Sequence, residues 1–329
     1  MFLLGVTTVS PAAAVSDSEL KRLIRGEPSD IAKRVSGVSS RRISLPFDYI
    51  TATGNSDPLE GWKVATSSPT SLGVQAVREL LAISGISIEQ VGLTLGDTGT
   101  PYQTCPSEAQ RIMGEFGVKS AAFDLVGGIG AVPHALAVVS RWSSERLPEY
   151  MMYVSTNTPS QQVNYHEDPS SAGLFGDAAV ALLFGKSAGD KGRRIKISYA
   201  KFSPEDRRRL PVVAQGSVRL NEDDLLSAEQ LSNNISAELE SLRSFDSKLV
   251  GNAVFIAPQL YAAQAAEILN RCGVAGDRIV SGVNDIGFSI GASHGVALAK
   301  VWEKISKERP VVLMHCGDGQ RGSVVLMAS

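Results

Sequence analysis

Few side chains in this sequence stand in a pattern that could do chemistry. Gly317-Asp318-Gly319-Gln320-Arg321-Gly322 matches G-x-G-x-x-G, the spacing that lets a backbone turn cradle a pyrophosphate at a helix N-terminus. That use needs a helix and a second strand after the last glycine, and seven residues follow Gly322. The segment is therefore expected to be a glycine-rich β-turn. His166, Glu167 and Asp168 are adjacent, a combination that could suggest a metal or an acid–base pair. Neighbours in a polar loop rarely converge on one point, so they are expected to stay apart. Arg207-Arg208-Arg209 could meet a phosphate or an acidic carrier protein, although a solvated loop is the commoner use of such a run. Cys272 and Cys316 read as small apolar packing residues. There is no Walker loop. Residue types and spacing alone point to no reaction.

The elements that would position any site follow from the composition and its patterning. The chain has 329 residues, of which 43% are hydrophobic and 20% charged, with 31 glycines and 15 prolines. That suggests about two domain-sized units with a large core. Lys plus Arg number 32 against 34 Asp plus Glu, a net charge of −2. A surface made for nucleic acid or anionic lipid is usually clearly basic, so neither partner is expected. Three cysteines without a C-x-x-C pair, and four histidines, argue against a disulfide scaffold and a zinc site. The first fifteen residues, MFLLGVTTVSPAAAV, superficially resemble a signal peptide. They carry no Lys or Arg before the apolar run, and Thr7-Thr8 interrupts it. A buried first strand over Phe2–Val9 is expected instead. No apolar run approaches the ~18 to 20 residues of a membrane span, and a cytoplasmic location is expected.

Strand and helix patterns then alternate. Helices are predicted from Ser16, over Ser71–Ser84, from Pro106 toward Phe116, and over Pro133–Trp142. Strands are predicted over Val91–Leu95, Ala121–Val126, Tyr150–Ser155 and Ala178–Phe184. After a polar stretch a similar rhythm resumes. Strands fall at Arg194–Phe202, Ala253–Ala257, Arg278–Gly282, Pro310–Met314 and Ser323–Met327. Helices fall at Ala228–Arg243, Ala262–Cys272 and Ser293–Ile305. This is an α/β order with strands apolar enough to be covered on both faces. Ser203–Glu222 is the least patterned part and reads as a surface excursion.

From Phe123-Asp124-Leu125-Val126-Gly127-Gly128-Ile129-Gly130-Ala131 onward, the chain resembles the β-ketoacyl-ACP synthase III branch of the thiolase superfamily, which has F-D-x-x-x-x-C-x-G there. Ser36-Gly37-Val38 with Arg41-Arg42-Ile43 resembles T-G-I-x-x-R-x-I, and Cys105-Pro106-Ser107 resembles F-P-S. Phe175-Gly176-Asp177-Ala178-Ala179 is similar to F-G-D-G-A, and Pro258-Gln259 stands at P-H-Q-A-N. Gly287–Ser293 stands at G-N-T-S-A-A-S, and the terminal glycine loop resembles G-G-G-x-x-W-G without its Trp. The matches run in order from Gly5 to Leu326.

The resemblance implies a thiolase-like five-layered α-β-α-β-α fold of two duplicated halves, residues 1–186 and 187–329, normally a dimer. In that family a cysteine at a buried helix N-terminus attacks an acyl thioester, its pKa lowered by the helix dipole. A histidine and an asparagine then promote decarboxylation of a malonyl carrier, while backbone N–H groups hold the oxyanion. Here those three positions hold Ile129, Gln259 and Phe288. Isoleucine offers no nucleophile, glutamine no base near neutral pH, and phenylalanine no polar donor, so no confident catalytic residue is named. Ile129, Gln259, Ser289, Gly317 and Gly319 remain as candidates for an oxyanion or substrate pocket. Cys105 replaces the aromatic that, in the family, crosses the dimer interface to line the partner's acyl channel. His134 lies about 140° around the helix from Ile129 and is expected to be packed rather than catalytic.

Two readings follow. In the first, the chain is an acyl-channel-shaping subunit, a homo- or heterodimer with a ketosynthase homologue in fatty-acid or polyketide-type metabolism. In the second, it is a non-covalent acyltransferase or unusual condensing enzyme working by proximity and oxyanion stabilisation. Acyl-CoA or the phosphopantetheine of an acyl carrier protein would be the ligand in either case, with no other cofactor and no metal. A third use, binding an acyl thioester without turning it over, would make the chain a sensor or carrier.

Overall fold

The opening run Phe2–Val9 forms strand β1, in the middle of the sheet. The computed structural model describes residues 1–24, 30–186, 193–205, 211–214 and 216–329. Its main strands are β1, β2 (Val91–Asp97), β3 (Ala121–Asp124), β4 (Tyr150–Asn157), β5 (Ala178–Gly185), β6 (Ile195–Pro204), β7 (Val254–Ile256), β8 (Ile279–Val280), β9 (Val311–Gly317) and β10 (Gln320–Ala328). Six helices cover them: α1 (Pro69–Ser84), α2 (Glu108–Glu115), α3 (Ala131–Arg141), α4 (Ala228–Phe245), α5 (Ala262–Arg271) and α6 (Ser293–Val301).

The strand order is β8-β7-β9-β10-β6-β1-β5-β4-β2-β3. It divides into two blocks of identical design, β1-β5-β4-β2-β3 and β6-β10-β9-β7-β8. In each, the first two pairings are antiparallel and the last two parallel. Within the sheet the blocks are joined by one ladder pair, Leu3 with Ile195. The repeated rhythm of the sequence is thus a repeated topology. Residues 187–192, where the expected boundary between halves falls, lie outside the described residues.

Alternation along the strands builds the layers. In β5, Ala178, Val180, Leu182 and Phe184 face one core, and Ala179, Ala181 and Leu183 face another. In β9, Val311 and Leu313 share the first of these cores, and Val312, Met314 and Cys316 face a third. The shared core holds α3 and α6, and α1 with α2 and α4 with α5 cover the outer faces. This is the five-layered thiolase-like arrangement.

Three of the four outer helices start with side-chain caps, and α5 does not. Ser68, Ser107 and Ser227 each accept the backbone N–H three residues on, before α1, α2 and α4. The two central helices have no such cap. The helix predicted from Pro133 begins at Ala131, and the strand predicted to Val126 ends at Asp124, where the Leu125 N–H turns back to the Gly96 carbonyl at 2.7 Å. Ser203–Glu222 is corrected in part. Val212–Ala214 and Val218–Leu220 form a small ribbon, and Val218 and Leu220 are buried in the outer core of the second half. Their alternation was too short to read as a strand. Arg207-Arg208-Arg209 lies outside the described residues. Among the described residues no helix is long and apolar enough to cross a membrane.

Candidate functional site

The starts of the two central helices meet. After β3 the chain turns through Gly127, Gly128 at φ +59° and Ile129 into α3. Asp97, at the end of β2, holds this turn: it accepts the Gly127 N–H at 3.0 Å and the Ser155 hydroxyl at 2.8 Å. Burial pushes its carboxyl up to about 6, with Asp124 adding and the hydrogen bonds opposing. Before α6 the chain passes Ile290, at φ +46°, and Gly291. A Cβ at Gly291 would stand 2.4 Å from Asp97 Oδ2 and 2.7 Å from the Ala131 Cβ. Glycine there lets the two helix starts approach.

Ile129 is 4% exposed and belongs to the same apolar cluster as Tyr261, Phe288 and Ile290. Its backbone N–H donates to Asp318 Oδ2 at 3.0 Å. Asp318 and Gly319 are the central pair of the β9–β10 hairpin, at φ +53° and +73°, the type I′ geometry that Asp-Gly favours. The expected glycine-rich β-turn is therefore found. Gly317 precedes it at φ +131°, and a Cβ there would stand 2.7 Å from Ile129 Cδ1. A Cβ at Gly128 would stand 2.7 Å from Asp318 Oδ2. These two glycines leave room for one side chain and one carboxylate. Burial pushes the Asp318 carboxyl up to about 6 against the pull of the Ile129 amide.

The other sequence candidates divide. Phe288 is fully buried, its ring 6.2 Å from that of Phe175, and its N–H donates to the Leu174 carbonyl at 2.8 Å. Gln259 is 1% exposed, and both ends of its amide serve the backbone. Its Nε2 donates to the Ala257 carbonyl at 2.6 Å, and its Oε1 accepts the Gly282 N–H at 2.7 Å. The Ser289 N–H donates to Ser293 Oγ at 2.8 Å, and its own buried hydroxyl has no partner among the described residues. Cys105 is exposed, just before α2. Asp124 of the edge strand β3 accepts the Glu108 and Ala109 N–H groups at 2.8 and 2.9 Å. Ile129, the Gly317–Gly319 turn and Phe288 therefore gather about the central helix starts, and Cys105 stays outside. His166, Glu167 and Asp168 do not converge: Asp168 caps the helix Pro169–Leu174, and Glu167 accepts from Asn164 at 3.1 Å.

Three of the four histidines stand together beneath the site. His134 lies 5.2 Å from His315 and 4.6 Å from Phe202 between ring centres, and His294 lies 6.0 Å from His315. Their N–H groups donate to the Gly127, Met314 and Gly317 carbonyls at 3.2, 2.9 and 3.2 Å respectively. The His134 Nδ1 and His315 Nε2 bonds clamp the two turns that flank Ile129. Gly130 fits between two of the rings, since a Cβ there would stand 2.7 Å from His134 and 2.8 Å from His315. Burial lowers all three pKa values, that of His294 to about 4, and the neighbouring imidazoles lower His294 and His315 further. His134 is packed, as expected; the cluster was not, because its members are far apart in the chain. Among the described residues no three or more His, Cys, Asp or Glu side chains are placed to hold a metal.

No family model matches the chain. It is 27% identical over 187 residues to the β-ketoacyl-[acyl-carrier-protein] synthase III of Sodalis glossinidius, covering 56% of this chain and 52% of that one. It is 32% identical over 194 residues to the 3-oxopimeloyl-[acyl-carrier-protein] synthase of Rhodothermus marinus, covering 57% and 55%. The chain spans about half the length of these curated relatives. The crystal structure of 3-oxoacyl-[acyl-carrier-protein] synthase III from Aquifex aeolicus superposes with a TM-score of 0.78 over 99% of both chains, at 18% identity. Over the matched part this chain is similar in sequence to ketosynthase III proteins, and over nearly its whole length it shares their fold.

Proposed function

We propose that this chain is a non-condensing subunit that pairs with a catalytic ketosynthase homologue and shapes that partner's acyl channel, in fatty-acid or polyketide-type acyl metabolism in the cytoplasm. The observation that carries the reading is what fills the three positions where the resembling family keeps its cysteine, histidine and asparagine. Ile129 and Phe288 lie buried in one apolar cluster, and the Gln259 amide is spent on Ala257 and Gly282. None of the three can form an acyl-enzyme or hold a thioester carbonyl while so engaged.

The edge of the first block supports pairing. Strand β3 ends the sheet order, with Phe123 47% and Val126 65% exposed, and an unpaired apolar strand edge is a template for another chain. Cys105 is exposed near that edge, where a small side chain would leave a neighbour's channel wide. The acyl-CoA or acyl-carrier thioester would then be bound by the partner, with the carrier protein docking on the pair.

The test is to mix the purified chain with the Cys-His-Asn ketosynthase III homologue of its own genome and measure mass by light scattering. A heterodimer is expected, abolished by Val126→Asp, with Cys105→Phe shifting the partner's chain-length preference. A stable homodimer that never takes up the homologue would refute the reading. Turnover by the chain alone with acyl-CoA or acyl-carrier donors would favour the non-covalent acyltransferase, and thioester binding without turnover a sensor.

A further inference from the structure

The backbone N–H at the start of α3 already has an anion. It belongs to no outer-helix type of cap, because the acceptor comes from the opposite half of the molecule, 189 residues away. Asp318 reaches Ile129 from a hairpin whose geometry is set for this purpose: Asp318 and Gly319 are both left-handed, and Gly317 and Gly128 lack the Cβ atoms that would collide with Ile129 and with the carboxylate. Among the described residues, the Ile129 N–H is the only hydrogen-bond partner of that carboxylate. An oxyanion formed on an acyl group at position 129 would need the same N–H.

We propose that Asp318 is a built-in plug, a carboxylate that occupies the acceptor position of the Ile129 amide and closes this chain's own site to thioester oxyanions and thiolates. The inference rests on the reading that this site does not condense, and it adds a cause that the three altered side chains do not contain. A nucleophile restored at position 129 would still face a fixed negative charge. Like charges disfavour ionisation, so a thiol there would be held in its unreactive form instead of being activated by the helix start. The carboxylate is also held partly out of water, and burial raises its pKa, so the plug is set at neutral pH and released by acid.

Two measurements on the full chain test this. In the first, Ile129→Cys is compared with Ile129→Cys/Asp318→Asn, following iodoacetamide labelling of position 129 by peptide mapping from pH 6 to 10. The single variant is expected to label with a midpoint above the ordinary thiol range. The double variant should have a midpoint lower by at least one pH unit and label about tenfold faster at pH 7. Equal midpoints would overturn the proposal. In the second, which leaves Ile129 in place, the protein is labelled with 15N-isoleucine and titrated by NMR. The Ile129 amide is expected to move with a midpoint near pH 6, and in Asp318→Asn to lose that transition. A flat Ile129 signal in the unaltered chain would also overturn it. Neither readout involves a partner, so failure of heterodimer capture with a shifted thiol midpoint would remove the subunit reading and leave the plug.

Discussion

Replacing His294 by glutamine should produce a stability deficit that shrinks as the pH falls. His294 is 1% exposed, and its Nε2–H donates to the Met314 carbonyl at 2.9 Å. Burial, with His134 adding, lowers its pKa from 6.5 to about 4. The folded value lies below the unfolded one, so this group's stabilisation is complete above about pH 6.5 and is lost as pH falls toward about 4, where only the unfolded chain has taken up the proton. Each unit of difference is worth about 1.36 kcal/mol, so between pH 7.5 and 4.5 the loss through His294 is about 2.5 kcal/mol. Glutamine keeps an N–H for Met314 and does not titrate. Urea unfolding of both proteins at pH 7.5, 6.0, 5.0 and 4.5 measures the effect. The deficit of His294→Gln at pH 7.5 should narrow by about 2.5 kcal/mol at pH 4.5, with most of the change below pH 6. Asp97, Asp177 and Asp318, all pushed up to about 6, act with the opposite sign and gain stability over much of the same range. They are common to both proteins and cancel in the difference. A gap that stays constant or widens on acidification would refute the assignment of His294 as a buried neutral base.

Gly317→Ala should lower stability by about 2 to 4 kcal/mol, read as a drop in the thermal midpoint. The residue stands at φ +131° and its new Cβ would lie 2.7 Å from Ile129 Cδ1; a neutral outcome would mean that the hairpin yields easily. Gln259→Leu should cost about 2 to 4 kcal/mol in urea unfolding, because it strands the Gly282 N–H and the Ala257 carbonyl. Reinstating the family's residues together, as Ile129→Cys, Gln259→His and Phe288→Asn, should yield no decarboxylation of malonyl-acyl carrier protein. The exchange at 259 forfeits the double clasp, the one at 288 removes a fully buried ring worth about 3 to 5 kcal/mol, and Asp318 stays in place. Turnover by that triple variant would count against both the structural role of Gln259 and the plug.

What could be read from the sequence was whatever rests on local pattern. The apolar run Phe2–Val9 gave a central strand, and Asp318-Gly319 between two apolar segments gave the hairpin turn. The alternation of strand and helix gave two halves that prove to share one strand order. What rests on long-range pairing could not be read. Asp318 and Ile129, Gln259 and Gly282, and His134, His294 and His315 each belong to segments that only the folded chain brings together. Val218 and Leu220 failed for a different reason, since two apolar positions in a three-residue strand fall below any periodicity signal.

The site's location is a property of the fold rather than of any catalytic residue. Duplicating one β-α pattern and packing the halves through α3 and α6 brings together two helix starts without side-chain caps, and the positive ends of their dipoles make that point attractive to negative charge whatever side chains surround it. Such a point must be filled by solvent, by a ligand or by the protein. This chain has glycines where room is needed, Gly128, Gly291 and Gly317, and supplies the filling itself: a carboxylate on the Ile129 amide and apolar side chains around it. On the subunit reading proposed above, the surface features, the open β3 edge and exposed Cys105, rather than the buried centre, would carry this chain's contribution.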